Sequence, residues 1–382
     1  MPPLIDVLQQ HVGRGTVAGA VALLARSDEV EIATVGLADV EAGTPMARDT
    51  IVRVSSMTKN VTALVTSMLV EDGTLSLGSE IRQWLPELAG PVVVRTPGSA
   101  LDDVVPADRP VTVLDLLTSR SGWGFGSDFS APAVAELGRR LRPGGPLPSG
   151  IPAADDYVAV LAGTPMLVQP GSAFLYDMSL DLLGILLERV TGRGLADLFA
   201  ERVFTPLGMV DTGFWVPAEK IGRLAALYDG DTTDGFTLVD PPDGQWSVPP
   251  PLASGAGGLV STVDDWHRFC RLLLGRGEVE GTRLLSSASV DQIMTNQLTP
   301  GQDEIADVFL DGQGWGHGGG VDVVERDPWN VVGRYGWVGG CGTSGHVIAS
   351  TGTISIVLSQ MTLGGPTPPQ HLFDAWTLAA GR

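Results

Sequence analysis

A serine and a lysine three positions apart stand at the head of a helical pattern early in the chain. Ser56 and Lys59 lie in VSSMTKNVTALVTSMLVEDG, residues 54–73, whose apolar residues recur at the spacing of one buried helix face and stop at an Asp-Gly pair. Residues three apart on a helix are neighbours, so the hydroxyl and the amine can share a proton. This is the arrangement that nucleophilic catalysis through an acyl-enzyme requires.

The position of Lys59 predicts a neutral amine that acts as a base. A helix N-terminus carries a partial positive charge, which favours a developing Ser56 alkoxide and disfavours a second cation. The chain has only two lysines, Lys59 and Lys220, among its 24 lysine and arginine residues, so composition does not explain a lysine here. The alternative is a solvated polar pair on a helix, because this four-residue pattern often arises by chance.

Composition narrows the classes of protein to consider. The chain has 382 residues, of which 43% are hydrophobic and 18% charged, as in a globular protein with a large core. Its formal net charge of −20 argues against nucleic acid and membrane surfaces as partners, because both require a basic footprint. The apolar run at residues 17–25 is too short to span a bilayer and lacks a basic leader, so we expect a cytoplasmic protein.

Residues that commonly bind metals show no metal-ligand spacing. Cys270 and Cys341 lie far apart, which predicts buried thiols. The five histidines occur outside H-E-x-x-H and Cys-x-x-Cys contexts, and no nucleotide-binding glycine motif follows a convincing strand. We therefore expect no metal and no cofactor. The G-x-S-x-G sequence of α/β-hydrolases is also missing.

The two ends of the chain have β-strand patterns, and the middle is mostly helical. A helix at residues 4–12 precedes β-prone runs at 18–26 and 30–37, joined by Ser27-Asp28-Glu29 as a hairpin turn; runs at 345–350 and 353–361 precede a helix at 371–380. This predicts an α+β fold with one antiparallel sheet built from both termini and flanked by helices. We expect an α/β lobe of residues 1–74 and 308–382, a mostly helical lobe of residues 75–307, and an active site between them.

Five segments occur in the order seen in beta-lactamase-like serine hydrolases. They are Ser56-Met57-Thr58-Lys59, LLTSRSG (116–122), PGSAFLYDMSLDLLG (170–184), GGLVSTVDDWHRF (257–269) and YGWVGG (335–340). Within this group, which shares the fold of class C beta-lactamases and penicillin-binding proteins, the chain most resembles the family VIII carboxylesterases. The resemblance covers almost the whole chain.

The resemblance implies a second catalytic group and an oxyanion hole. It assigns Tyr176 as the phenol that relays the serine proton beside Lys59 and later protonates the leaving alkoxide. It assigns the backbone amides of Ser56 and Gly340 to the developing oxyanion. Without the family, Tyr176 is better explained as a buried core phenol and Gly339-Gly340 as a glycine-rich turn.

Two positions depart from the penicillin-recognising relatives. Met178 stands where those relatives have an asparagine that holds a substrate amide, and Trp337-Val338-Gly339 stands where they have Lys-Thr-Gly, whose cation attracts a carboxylate. These residues supply apolar and aromatic surface in place of an amide and a positive charge. We therefore expect Met178, Trp337 and Gly339 to bind substrate, with the loops at residues 122–132 and 246–258 as further candidate walls.

The sequence thus predicts a serine ester hydrolase acting on short-chain or otherwise uncharged small-molecule esters. Ser56 is the expected nucleophile, and Lys59 and Tyr176 are expected to handle its proton. One alternative is a beta-lactamase, a D-amino-acid peptidase or an acyltransferase on the same apparatus. An alternative of another class is a catalytically silent ligand-binding domain. The natural ester, its stereochemistry and the oligomeric state stay open.

Overall fold

Strands occur at both ends of the chain and helices fill most of the middle. The computed structural model describes residues 2–27, 29–144, 147–231 and 235–381. The helices are α1 (Leu4–Arg14), α2 (Thr58–Glu71), α3 (Val113–Leu117), α4 (Pro132–Leu141), α5 (Ala154–Ala162), α6 (Met178–Thr191), α7 (Leu195–Phe199), α8 (Thr205–Leu207), α9 (Val263–Leu274), α10 (Ser287–Met294), α11 (Asp307–Leu310) and α12 (Gln370–Ala379). The strands are β1 (Gly19–Arg26), β2 (Glu29–Asp39), β3 (Thr44–Pro45), β4 (Val52–Arg53), β5 (Val92–Val94), β6 (Val104–Pro106), β7 (Leu227–Asp231), β8 (Gly235–Asp240), β9 (Val260–Ser261), β10 (Glu278–Val279), β11 (Thr282–Arg283), β12 (Gly314–Trp315), β13 (Gly320–Val321), β14 (Arg334–Gly339), β15 (Thr343–Ile348) and β16 (Thr353–Ser359).

The large sheet is antiparallel and is built from both ends of the chain. Its strand order is β12-β13-β14-β15-β16-β1-β2-β3, so β1 and β16 lie side by side near its centre. Their register sets Ala22 opposite Val357, and β1 pairs with β2 as far as Arg26 and Glu29. The predicted α+β fold is confirmed. The predicted hairpin turn includes Asp28, which lies outside the described residues.

Helices cover both faces of this sheet. In β1, Val21 and Leu23 belong to the core shared with α2 and α9, whereas Ala22 and Leu24 belong to the core shared with α1 and α12. Successive side chains of a strand point to opposite faces, so a continuous apolar strand is what two covered faces require.

One helix from the range predicted as a helical lobe covers the sheet. In α9, Trp266 packs so closely on Gly345 of β15 that a Cβ there would lie 2.2 Å from the indole nitrogen. The range 75–307 therefore contributes to the sheet layer as well as to the helices beyond it.

The helix that follows Ser56 is buried on all sides. Every residue of α2 from Thr58 to Leu69 is buried, so the prediction of a single buried face is wrong. Its buried hydroxyl groups donate hydrogen bonds to backbone carbonyls on the preceding turn of the helix. Thr66, for example, donates to the Thr62 carbonyl at 2.8 Å. The helix ends at Glu71, and Gly73 adopts a positive φ of 78° at the predicted stop.

The helices of the described part of the chain are short. The longest of them, α2 and α6, have 14 residues each, and none combines the length and apolarity needed to cross a membrane.

Candidate active site

Ser56 lies on a tight turn between a short strand and α2. β4 pairs with β9, and the chain then enters a 3-10 turn, Ser55–Met57, that continues directly into α2. Ser55 has a positive φ of 47°, which is rare for a residue other than glycine and costs about 1–3 kcal/mol. Ser55 and Met57 are buried, whereas Ser56 is partly exposed.

Ser56 lines a cleft of about 640 Å³. Tyr176, Trp337 and Gly340 line the same cleft, so the structure brings together the residues that the sequence assigns to catalysis and to the oxyanion. Apolar residues of the two loops predicted as walls also line it, namely Phe125, Phe129, Pro250 and Leu252.

Lys59 is fully buried and donates three hydrogen bonds. Its Nζ lies 3.1 Å from Ser56 Oγ, 3.0 Å from Asp177 Oδ1 and 2.7 Å from the carbonyl oxygen of Ala256. Burial alone would lower the pKa of Lys59, but the Tyr176 oxygen and the Asp177 carboxylate outweigh it and raise that pKa above its ordinary value. Three acceptors match the three N–H groups of an ammonium. The prediction of a neutral amine is therefore wrong for the free protein, in which Lys59 is a cation.

Asp177 is a site residue that the sequence analysis missed. It has φ 84° and ψ −69°, and the Met178 N–H lies 3.3 Å from the Tyr176 carbonyl oxygen, so Tyr176, Asp177 and Met178 form a strained γ-turn just before α6. Burial by itself would raise the pKa of Asp177, but the charges of Arg142 and Lys59 lower it to about 2. Asp177 is therefore a carboxylate beside the Lys59 ammonium at neutral pH.

The sequence held one signal for this residue. Asp177 and Asp181 stand four apart at the head of a strongly apolar helix, and buried carboxylates require partners. Their shared partner is Arg142, which follows α4 and lies 2.9 Å from Asp177 through Nε while its Nη2 bonds Asp181. Asp181 also accepts from Ser254 Oγ at 2.6 Å and from the Ala256 N–H at 2.9 Å. The same network therefore holds the carbonyl that Lys59 contacts.

The four charges of this cluster balance. Lys59 and Arg142 are paired with Asp177 and Asp181, and each of these side chains is at most 12% exposed. A carboxylate on an incoming molecule would meet cations whose charge is already neutralised. The cluster therefore favours uncharged ligands near Ser56.

Tyr176 is held from four directions. Its backbone exchanges two 2.9 Å hydrogen bonds with Phe125, and its ring stacks on Phe309 at 4.5 Å between centroids. Its hydroxyl oxygen accepts a 2.9 Å hydrogen bond from Trp337 Nε1, and Lys59 Nζ lies 4.6 Å from its ring centroid. The Trp337 donor and the Lys59 cation thus both lie against the phenol of Tyr176. Trp337 thus contacts Tyr176 as well as lining the cleft.

Two of the predicted substrate-binding residues do not line the cleft. Met178 is the first residue of α6, is 1% exposed and accepts a 3.2 Å hydrogen bond from Tyr157, so its side chain belongs to the core and does not support contact with substrate. A Cβ on Gly339 would lie 2.3 Å from the Val54 carbonyl oxygen. Gly339 therefore lets β14 approach the turn that carries Ser56, and Gly340 follows it at the cleft wall.

Asp177→Asn tests whether Lys59 works as a cation or as a base. The wild-type ammonium persists until the pH exceeds its raised pKa, whereas loss of the carboxylate lowers that pKa, because burial is then less strongly opposed. We expect the alkaline limb of the profile of kcat/KM against pH to move at least about one unit toward lower pH. The profile is measured with p-nitrophenyl acetate in wild type and variant. Asparagine tolerates positive φ, so the turn is retained.

Asp307→Asn is the matched control for this profile. Asp307 lines the cleft and is exposed, and it contributes no charge to the cluster described above. Its profile should follow that of the wild type. An acid limb that moves down in Asp177→Asn, with activity gained at low pH, would instead identify the neutral amine as the working form.

Comparisons with known proteins cover nearly the whole chain. The family model described as Beta-lactamase matches residues 4–376. An uncharacterized protein of Mycobacterium tuberculosis (strain CDC 1551 / Oshkosh) is 36% identical over 359 residues, with 91% of this chain and 86% of that protein covered. Esterase EstB of Burkholderia gladioli is 30% identical over 388 residues, with 95% of this chain and 91% of the esterase covered. The solved structure of EstCE1, a hydrolase with promiscuous acyltransferase activity, has a TM-score of 0.78 and 25% identity, with 99% of this chain and 97% of that one covered.

Proposed function

Because this chain belongs to the beta-lactamase family and is a hydrolase, we propose that it is a carboxylesterase that cleaves uncharged esters through an acyl-enzyme on Ser56. The observation that carries the proposal is the 3.1 Å contact between Ser56 Oγ and Lys59 Nζ, beside a cleft with apolar walls and balanced charges. A named esterase among the relatives supports the same reaction class.

In the first half of the reaction, Ser56 Oγ attacks the ester carbonyl carbon and Tyr176 takes its proton. The proton acceptor in this step is the phenolate of Tyr176, which lies beside the Lys59 cation and the Trp337 N–H. The carbonyl electron pair moves to oxygen, where the backbone N–H groups of Ser56 and Gly340 bind it, each worth about 2.7–4 kcal/mol. Collapse of the intermediate expels the alkoxide, which takes the proton from Tyr176.

In the second half, water attacks the acyl-enzyme by the same route. Tyr176 accepts the proton of the water molecule, and the oxyanion forms again at the two backbone amides. Ser56 Oγ then leaves as the acid is released and recovers its proton from Tyr176. An alcohol or amine in the place of water would make the protein an acyltransferase, a second activity that the name of EstCE1 supports by analogy.

A preference for beta-lactams or D-amino-acid peptides is less well supported. Those substrates bring a carboxylate to the site, yet Lys59 and Arg142 are already paired with carboxylates. Trp337 also stands where penicillin-recognising relatives have a cation.

The test combines covalent labelling with substrate preference. Intact mass after treatment with a fluorophosphonate should show one adduct. Turnover of p-nitrophenyl acetate, butyrate or octanoate should exceed that of nitrocefin and of a D-Ala-D-Ala peptide by at least about 100-fold, which corresponds to about 2.7 kcal/mol of preference. The reverse preference would contradict an esterase. An unlabelled protein without turnover would instead be a silent ligand-binding domain.

A further inference from the structure

The cleft that holds Ser56 extends past the edge of β14 to the opposite face of the large sheet. Trp337 contacts Tyr176, whereas the next residue, Val338, packs against the core shared with α1 and α12. β13 pairs with β14 only at Tyr335 and Gly336, so within the described chain the remaining edge of β14 has no strand partner on that side. The part of the cleft on the α12 face, here called the distal chamber, is lined by Trp329, Arg334, Val338, His346, Phe373 and Trp376.

The walls of the distal chamber are a continuous group of rings. Trp329 and Phe373 lie 4.5 Å apart between centroids, Phe373 and Trp376 lie 5.2 Å apart, and His346 and Trp376 lie 5.1 Å apart. The Arg334 guanidinium lies 4.8 Å above the Trp376 ring. The segment before β14, strand β15 and helix α12 thus each contribute rings to the wall of the same chamber.

Two of the side chains that line the distal chamber each carry a buried nitrogen with no hydrogen-bond partner among the described residues. These nitrogens are Arg334 Nη1 and His346 Nδ1, and both side chains belong to residues that are 3% exposed. Arg334 uses Nε and Nη2 on Asp322, at 2.9 and 3.2 Å, which leaves Nη1 as the spare donor. Burial, and then the charge of Arg334, hold the pKa of His346 well below its ordinary value, so its ring is neutral. Buried polar groups in folded proteins nearly always have a partner, so this pair marks a place for one.

The charges around the distal chamber define what it can hold. Arg334 is paired with Asp322. Arg326, which lines the cleft outside the chamber, is paired with Asp311 and Asp327. An anion would therefore gain no uncompensated cation here. Aromatic walls favour a planar ring. The spare guanidinium N–H of Arg334 and the unpartnered nitrogen of the neutral His346 ring together favour a carbonyl oxygen on that ring, which can accept a hydrogen bond from each.

We propose that the distal chamber is a second binding subsite, which takes an uncharged aromatic group bearing a carbonyl oxygen. Its link to esters rests on the proposed function, since the ester would lie at Ser56 with this group on its far arm. His346 lies opposite Gly336. Gly340 is four positions further along the chain, just after β14, which corresponds to about 13 Å at about 3.3 Å per residue. The matching substrates are elongated esters with an arm of about that length.

The first test measures binding without any reaction. The probes are a long-chain alkyl aryl ketone and its matched alkylbenzene, in which a methylene replaces the carbonyl, titrated by calorimetry into the Ser56→Ala protein. We expect the ketone to bind about three- to tenfold more tightly, the usual range for one hydrogen bond. His346→Leu should abolish that difference, and Trp329→Ala should weaken both probes at least about fivefold.

The matched control is Trp215→Ala, another half-buried tryptophan that does not line the cleft. It should leave both affinities unchanged. Phe373→Leu replaces Trp329→Ala if the latter fails to fold, as judged by circular dichroism. Equal affinities for the two probes, unaffected by these variants, would overturn the proposal, and the chamber would then hold only water.

The second test separates this subsite from the proposed function. The same aryl ketone and alkylbenzene arms are attached to the acyl side or to the alcohol side of an ester, and kcat/KM is compared within each pair. A ketone advantage in either series, lost in His346→Leu, supports the subsite and shows which side of the ester enters it. Hydrolysis without an advantage in either series would overturn it. Tight ketone binding with no hydrolysis of any ester would contradict the proposed esterase activity and support the subsite.

Discussion

Ser56→Ala is expected to lower kcat for p-nitrophenyl esters by at least about 10⁴-fold and to abolish the phosphonate adduct. No other hydroxyl is proposed to form the acyl-enzyme, and loss of the nucleophile in comparable hydrolases costs about 10⁶-fold. The fold should persist, because Lys59 keeps its contacts with Asp177 and with the Ala256 carbonyl. Rates and intact mass are measured on the same preparation. Residual activity above about a hundredth of the wild-type rate would mean that another residue attacks the ester.

The neighbouring serine provides a matched control. Ser55→Ala removes the same atom, but the Ser55 hydroxyl is buried, donates to Cys341 Sγ at 3.0 Å and is not among the acceptors of Lys59. The backbone strain at its positive φ is the same for alanine as for serine. We expect the adduct to be retained, kcat to stay within about threefold of wild type, and stability to fall by about 1 kcal/mol, the usual worth of one hydrogen bond. A loss of labelling in Ser55→Ala would instead indicate that the turn itself fails.

Tyr176→Phe is expected to reduce kcat by about 10²- to 10⁴-fold while KM changes little, because proton transfer in the transition state is lost and the ring remains. The phenylalanine can still stack on Phe309, so the cleft wall is preserved. The measurement is kcat and KM on p-nitrophenyl butyrate across pH. Retention of more than about a tenth of the wild-type kcat would remove Tyr176 from the proton path and return that role to Lys59.

Tyr157→Phe is the control for this substitution. Tyr157 is also a phenol near the start of α6, but it is fully buried, donates to Met178 Sδ at 3.2 Å and does not line the cleft. Its loss should cost about 0.5–1.5 kcal/mol of stability and leave kcat nearly unchanged. A matched drop in kcat for both variants would mean that movement of α6, and not the Tyr176 hydroxyl, is responsible.

The local sequence pattern was sufficient to predict the strands and helices at the two ends of the chain and the proximity of Ser56 and Lys59. The spacing of Ser56 and Lys59 predicts neighbours on one helical turn, and their polar atoms lie 3.1 Å apart. Apolar runs at the two ends predicted the antiparallel sheet, and the helices predicted at residues 4–12 and 371–380 are α1 and α12. The predicted roles of these site residues stay predictions until the variants are measured.

The charge state of Lys59 could not be predicted from the residues near it in the sequence. The helix N-terminus was considered alone, whereas the deciding groups, Asp177 and Tyr176, arrive from a segment more than a hundred positions further along the chain. The predicted contact of Met178 with substrate lacks support from the structure for a related reason. Counting two places from Tyr176 assumes a regular backbone, but the γ-turn at Asp177 sends the Asp177 side chain to Lys59 and the Met178 side chain into the core.

The central pairing of β1 with β16 has a consequence for how the protein is made. Residue 22 can pair with residue 357 only after the chain between them has been synthesised, which at about 5–20 residues per second takes tens of seconds. Until then one edge of an apolar strand stays unpaired, which makes the nascent chain a substrate for chaperones and prone to aggregation. Ser56 emerges from the ribosome long before Gly340. A ribosome-bound chain stalled before β14 should therefore bind chaperones and hydrolyse nothing.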